Sequence, residues 1–196
     1  MTDPAFWDRG YAVAHDLVDA AQREFVRAAM DVSRRTGRMH FATRVAPQGA
    51  FNEYSPIAGE VLLLRCRATI EAITGRELVP AYAFWRIYEH GAVLLRHCDR
   101  SSCEVSASLP IFSAPADRAW PIHLCGLDGA EAAIELRPGA GIIYQGCRIP
   151  HWREAFDGQL QYQLFLHYVI KDGDNAVHAF DGRESLNLRL RDRPDG

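Results

Sequence analysis

A chain of 196 residues, 48% hydrophobic and 24% charged, has the length and balance of one soluble globular domain with a sizeable core. Its formal net charge of -3, with no basic face or arm, argues against a general nucleic-acid binder. No apolar run reaches membrane-spanning length, and Met1-Thr2-Asp3-Pro4 lacks the regions of a signal peptide, so a cytoplasmic protein without a membrane partner is expected. Lys171 is the only lysine, which we read as coding bias rather than a binding code. Five cysteines, Cys66, Cys98, Cys103, Cys125 and Cys147, are scattered and odd in number, the pattern of reduced thiols rather than a disulfide framework.

Residues 10–14 read as a first strand. A helix is expected over 16–35, because Leu17, Val18, Ala21, Phe25, Ala28, Ala29 and Val32 recur at helical spacing, with Asp16 as N-cap and Gly37 as stop. Residues 38–54, with Pro47, Gly49 and Asn52, read as irregular and mobile. A second amphipathic helix is expected over 56–74, ended by Gly75. Residues 1–76 therefore predict a helical buttress with a first strand. From Tyr82 the pattern becomes short strands separated by turn residues, at 82–89, 92–98, 103–112, 119–125, 131–136, 141–145, 148–153, 160–170 and 187–190. Such a series predicts a β-sandwich or barrel over 80–170. The tail 171–196 is polar, and 191–196 is expected to fray.

His97-Cys98-Asp99, with His151 further along, is the spacing that carries chemistry. On an extended strand, residues i and i+2 project from the same face, so His97 and Asp99 reach one ion while Cys98 points away. A second histidine from another strand completes a 2-His-1-carboxylate facial triad, which holds non-haem Fe(II) and leaves other positions open. Alone, His-x-Asp also describes a surface histidine beside a solvated aspartate. Three features favour the metal. The apolar run Ala92-Val93-Leu94-Leu95 delivers the pair, a Ser-rich strand from Glu104 to Leu109 follows it, and His151 arrives in the setting His151-Trp152-Arg153-Glu154. Cys98 and Cys103 flank the pair but lack the partner spacing of a zinc cluster.

These stretches resemble the Fe(II)/2-oxoglutarate-dependent dioxygenases, in particular the prolyl-hydroxylase-like branch. The resemblance runs from about Tyr82 to Val169. It is carried by Phe84-Trp85-Arg86-Ile87-Tyr88, Leu95-Arg96-His97-Cys98-Asp99-Arg100, Arg137-Pro138-Gly139, and Tyr144-Gln145-Gly146 leading to His151-Trp152-Arg153. It implies a mainly β chain with flanking N-terminal helices around a double-stranded β-helix (jelly-roll, cupin-like) core. It further implies Fe(II), 2-oxoglutarate and O₂ at the open end of that core. A carboxylate at position 99 implies hydroxylation or another oxidation, since halogenases of this family carry a small residue there.

The branch usually places Arg or Lys on the strand after the distal histidine, to meet the distal carboxylate of 2-oxoglutarate. Residues 159–170 contain neither. Arg153, on the same face as His151 if extended, is the substitute, and a guanidinium suits bidentate carboxylate pairing. Its other reading is an ion pair with Glu154 or Glu104. Tyr88 matches a cosubstrate-bonding tyrosine of related enzymes or is a core aromatic. Gln161, Gln163, Phe165 and His167 share one face, so Gln163 or His167 either completes the cosubstrate pocket or is a satisfied core residue. Arg86, Arg100 and Trp152 are candidates for a substrate-facing rim, against the alternative of solvated surface groups. Trp120 reads as a packing anchor, and His123 as a weaker candidate ligand.

The leading expectation is thus an Fe(II)/2-oxoglutarate oxygenase that hydroxylates a small molecule, such as an amino acid or specialised metabolite, and decarboxylates 2-oxoglutarate to succinate. A protein or peptide hydroxylase, a cupin-like metal enzyme without 2-oxoglutarate and a non-catalytic jelly-roll binding module are the alternatives. Oligomeric state has no signature in the sequence.

Overall fold

The computed structural model describes residues 3–42, 49–116 and 118–186. Its elements in order are α1 (Phe6–Arg9), β1 (Tyr11–Ala14), α2 (Ala20–Arg35), β2 (His40–Ala42), β3 (Ala50–Tyr54), α3 (Ile57–Thr74), β4 (Leu78–Glu89), β5 (Leu94–His97), β6 (Val105–Ala114), β7 (Ile122–Cys125), β8 (Glu131–Ile134), β9 (Gly141–Tyr144), β10 (His151–Arg153) and β11 (Leu160–Ile170). Short 3₁₀ segments cover Ser101–Cys103 and Ala176–Gly182. None of the described helices is long and apolar enough to cross a membrane, and all five cysteines are free thiols.

The strands form two antiparallel sheets. The larger has the order β1-β9-β6-β11-β4-β3-β2, and the smaller β5-β10-β7-β8. This is the jelly-roll layout that the family resemblance implies, within the sandwich or barrel class expected from the strand series. The long strand β11 lies between β4 and β6 and bonds to both along its length. Alternation along it divides the large sheet into two faces. Tyr162, Leu164 and Leu166 point outward with Trp85, Ile87, Ala107 and Leu109, and pack with Val26, Met30, Leu63 and Ile70 of the helices. Gln161, Gln163, Phe165 and His167 point inward, toward the smaller sheet.

The second helix begins and ends as its sequence indicates, with Pro56 at its N-cap and Gly75 closing it at φ 66°, a conformation natural to glycine. The first differs. Asp19, not Asp16, caps α2 through a box with Gln22, because the amides of Leu17 and Val18 are bonded to the Gly139 carbonyl and hold 16–18 in a turn. The buried face is then Val26, Met30 and Ser33 rather than the expected stripe, and Phe25 and Val32 are 66% and 59% exposed. Within 38–54, residues 40–42 and 50–54 are not irregular: β2 and β3 pair and extend the large sheet at β4, while 43–48, with Pro47, lie outside the described residues. The expected strand at 187–190 and the fraying at 191–196 lie outside the described residues.

Candidate metal centre

β5 and β10 are antiparallel neighbours in the smaller sheet, with His97 and His151 directly opposed. Their rings lie 4.3 Å apart. Strand β5 ends at His97, so Asp99 sits just beyond it rather than on the strand, held by its backbone N–H donating to the Gly146 carbonyl at 2.9 Å. The Asp99 carboxylate still turns back to both histidines. Its Oδ1 is 3.4 Å from His97 Nε2 and 3.6 Å from His151 Nε2, and Cys98 is exposed on the far side. The donor atoms of His97, Asp99 and His151 all lie within 4.8 Å of one another.

The chemistry of this donor set fits a divalent cation. His97 Nδ1 lies 2.8 Å from the Leu95 carbonyl and His151 Nδ1 3.2 Å from that of Ile149. A carbonyl only accepts, so each Nδ1 carries the proton and each Nε2 presents its lone pair to the common point, the arrangement in which a ligating histidine is oriented by its other nitrogen. Burial pushes the His151 imidazolium down. The Asp99 hydrogen bond raises His97, against its partial burial. Burial works to raise the Asp99 carboxyl, yet the His97 bond and the nearby imidazoles hold it below the usual range. The Tyr144 hydroxyl lies 3.5 Å from Asp99 Oδ2.

Asp99, Cys103 and His167 form a second cluster of potential donors. Burial pushes the Cys103 thiol up to about 12, and its sulfur lies 3.2 Å from the Tyr82 hydroxyl. His167 is driven by burial down to about 4 and bonds Ser106 at 2.9 Å. A protonated thiol and an engaged neutral imidazole are weaker ligands than the first set.

A cavity of about 290 Å³ opens over the triad and includes Tyr54, Tyr82, Phe84, Arg86, Arg100, Tyr144, Arg153, Phe165 and His167 in its wall. Arg153 is buried and forms no ion pair among the described residues. Its Nη1 donates to the Trp120 carbonyl and its guanidinium lies 4.8 Å from the Trp120 ring. The two carboxylates that could have claimed it are engaged elsewhere: Glu154 accepts from Trp152 Nε1, and Glu104 from the Ile170 amide. Burial lowers the Arg153 pKa to about 10, with Tyr88 and Tyr144 acting the other way.

The other expected residues divide. Arg86 and Arg100 line the cavity, but Arg100 is taken by a bidentate pair with Asp181 at 2.6 and 2.8 Å. Tyr88 lies behind the wall, edge-on to Trp120, with its hydroxyl 3.4 Å from Arg86 Nη1. Gln163 is fully buried and satisfied, accepting from Gln161 and donating to Ser108. Trp152 is not brought in. One position out of phase with His151, it faces away from the cavity, stacks on His123 and receives Arg96 at 4.3 Å. The same stack removes His123 from the centre. The structure adds two residues to which the sequence assigns no role at the site, Tyr144 and Asp181. Tyr144 immediately precedes Gln145-Gly146 and was readable in phase on its strand, whereas Asp181 reaches Arg100 from 81 residues away.

No protein-family model and no curated protein matches the chain. Solved structures of similar fold do. A Pseudomonas putida prolyl-4-hydroxylase is 18% identical with a TM-score of 0.63, covering 83% of this chain and 95% of that one. The non-haem α-ketoglutarate-dependent carbocyclase SnoK of nogalamycin biosynthesis is 13% identical with a TM-score of 0.70, covering 85% and 82%. HygX from Streptomyces hygroscopicus, with nickel, 2-oxoglutarate and hygromycin B bound, is 12% identical with a TM-score of 0.63, covering 85% of each. At these identities the likeness is one of fold, and it is the jelly roll expected from the sequence.

Proposed function

We propose that this chain is an Fe(II)/2-oxoglutarate-dependent oxygenase of hydroxylase type that acts on a small molecule in the cytoplasm. The observation that carries the reading is one cavity holding both three convergent metal donors and a buried guanidinium with no acid partner among the described residues. A buried cation requires a counter-charge. A ligand that chelates a metal at one end and carries a carboxylate at the other supplies it, and 2-oxoglutarate is such a molecule. Folds of this kind occur in SnoK, described as α-ketoglutarate dependent, and in HygX with 2-oxoglutarate bound, which supports the assignment.

In this reading His97, Asp99 and His151 hold the ion, and Arg153 pairs with the distal carboxylate of 2-oxoglutarate. When bound, Fe(II) supplies the redox chemistry that couples O₂ to oxidation of substrate and conversion of 2-oxoglutarate to succinate and CO₂. The chain's own groups set the geometry. The Leu95 and Ile149 carbonyls fix the imidazole tautomers, and the Asp99 amide bond to Gly146 aims the carboxylate. Tyr54, Tyr82, Phe84 and Phe165 make an aromatic wall that limits water. Asp99, a carboxylate in the third ligand position, favours oxygen insertion over halogenation.

Anaerobic addition of Fe(II) and 2-oxoglutarate is expected to produce a weak visible charge-transfer band, and O₂ is then expected to yield succinate. Correctly folded, iron-loaded protein that shows neither would sink the proposal. A protein that binds iron but gives no band with 2-oxoglutarate would be a metal enzyme of another kind.

A further inference from the structure

Among the described residues, three guanidinium groups border the cavity and only two carboxylates face them. Asp181 neutralises Arg100, and Asp99 belongs to the metal. If Arg153 is answered by 2-oxoglutarate, one cation remains. Arg86 forms no ion pair among the described residues, and its Nε is buried without any hydrogen-bond partner. Its Nη1 makes only a long contact of 3.4 Å to the Tyr88 hydroxyl. The guanidinium is held over the aromatic wall, 4.9 Å from the Phe84 ring and 5.7 Å from that of Phe165. That leaves its hydrogen-bonding edge as the unsatisfied part.

A second orphan stands beside it. Asn52 on β3 is the direct cross-strand partner of Arg86 on β4, so both side chains share the cavity face of the sheet with Tyr54 and Phe84. The Asn52 amide nitrogen donates to the Ala50 carbonyl, which leaves Oδ1 as an acceptor, buried and unpartnered. One vacant donor with positive charge in the cavity wall and one vacant acceptor beside it on the same sheet face are therefore direct neighbours. Buried polar groups of native proteins are bonded as a rule, and an adjacent pair of exceptions calls for an occupant. An anion alone would answer Arg86 and leave Asn52 unanswered. A molecule with a carboxylate next to an N–H or O–H donor answers both.

We infer that Arg86 and Asn52 form the substrate-recognition site, and that the substrate is a small carboxylate with an adjacent amino or hydroxyl group, as in an amino acid or a 2-hydroxy acid. This rests on the oxygenase reading, because that reading is what assigns Arg153 to the cosubstrate. Arg86 takes the carboxylate and Asn52 Oδ1 accepts from the neighbouring group. Arg86 is then a specificity residue, and 2-oxoglutarate binds without it.

The test uses the full chain loaded with Zn(II), which does not turn over, in the presence of 2-oxoglutarate. The probes are the twenty protein L-amino acids, their methyl esters and the matching 2-hydroxy acids, read by thermal shift and saturation-transfer NMR. At least one free acid should bind while its methyl ester does not. Loss of a charged hydrogen bond predicts that Arg86→Gln weakens that acid by about ten- to a hundredfold. Arg86→Lys should retain part of the affinity, and 2-oxoglutarate should bind both variants as it binds the parent. Asn52→Ala should weaken the amino or hydroxy acid more than the analogue with hydrogen at that position. Esters that bind like acids, a panel with no binder, or an Arg86→Gln variant that loses 2-oxoglutarate affinity would each overturn the inference. Failure of the parent protein to bind 2-oxoglutarate at all is read separately in the same spectra, and takes the oxygenase reading down with it.

Discussion

Along β11, Tyr162, Leu164 and Leu166 face the helices, while their sequence neighbours Gln161, Gln163 and His167 face inward toward the smaller sheet, His167 in the cavity wall. Both sets are buried, so water does not explain the difference. The outer set fills space against α2 and α3, where each methylene contributes to stability. The inner set is satisfied pairwise, through Ser113–Gln161, Gln161–Gln163, Gln163–Ser108 and His167–Ser106. A buried polar network of this kind makes little net contribution to stability but resists rearrangement. One sheet thus separates a face that holds the fold from a face that holds the site's shape, and the two should fail independently.

Leu164→Ala tests the outer face and carries the largest expected effect. Removing a fully buried leucine from the helix-packed side should cost about 2–5 kcal/mol in urea unfolding. Fe(II) affinity per folded molecule should stay the same, and a parallel loss of metal would mean that the faces are coupled. Arg153→Met tests the inner wall. It replaces an unpaired buried cation with an apolar chain of similar length, so the variant's melting temperature without ligand should not fall. Its 2-oxoglutarate affinity should fall by about a hundredfold, the worth of a bidentate charge-assisted pair. A sharp loss of stability would instead mark Arg153 as structural. Gly146→Ala should have a smaller effect. A β-carbon there would come within 2.7 Å of Asp99 Oδ2 and 2.5 Å of the Cys103 carbonyl, so the carboxylate must shift. Metal affinity measured by competition with a chelating dye should fall by about 10–100-fold, as for other changes that disorient a ligand. Unchanged affinity would show that Asp99 moves freely.

The comparison also explains what could be read in advance. The alternation on β11 and the caps of α3 are local, and the sequence carried them. The triad's residues were readable because His-x-Asp is a local spacing and His151 stands on a later strand, whereas the register that sets His151 opposite His97 was not, since a one-residue slip would turn the ring away. Trp152 was misplaced because its aromatic, basic setting drew attention, although strict alternation puts it opposite His151. Hidden, too, was the irregular pairing in which His151 meets His97 but Arg153 meets Leu94. The extra residue on β5 places Leu94 at the cavity and leaves Leu95 exposed, which simple alternation cannot anticipate. The closure of Arg100 by Asp181 depends on a tail that folds back only in three dimensions. Arg183 anchors that tail by pairing with buried Glu60 at 2.9 Å.

The position of β11 also has a consequence in time. It is the last strand of the described chain, yet it fills the slot between β4 and β6. During synthesis those two strands leave the ribosome long before their common partner, and each presents an open hydrogen-bonding edge while it waits. The sheet that carries both the helix-packed core and the cavity wall closes only when residues 160–170 arrive, so a ribosome stalled before that point holds a nascent chain without a finished site.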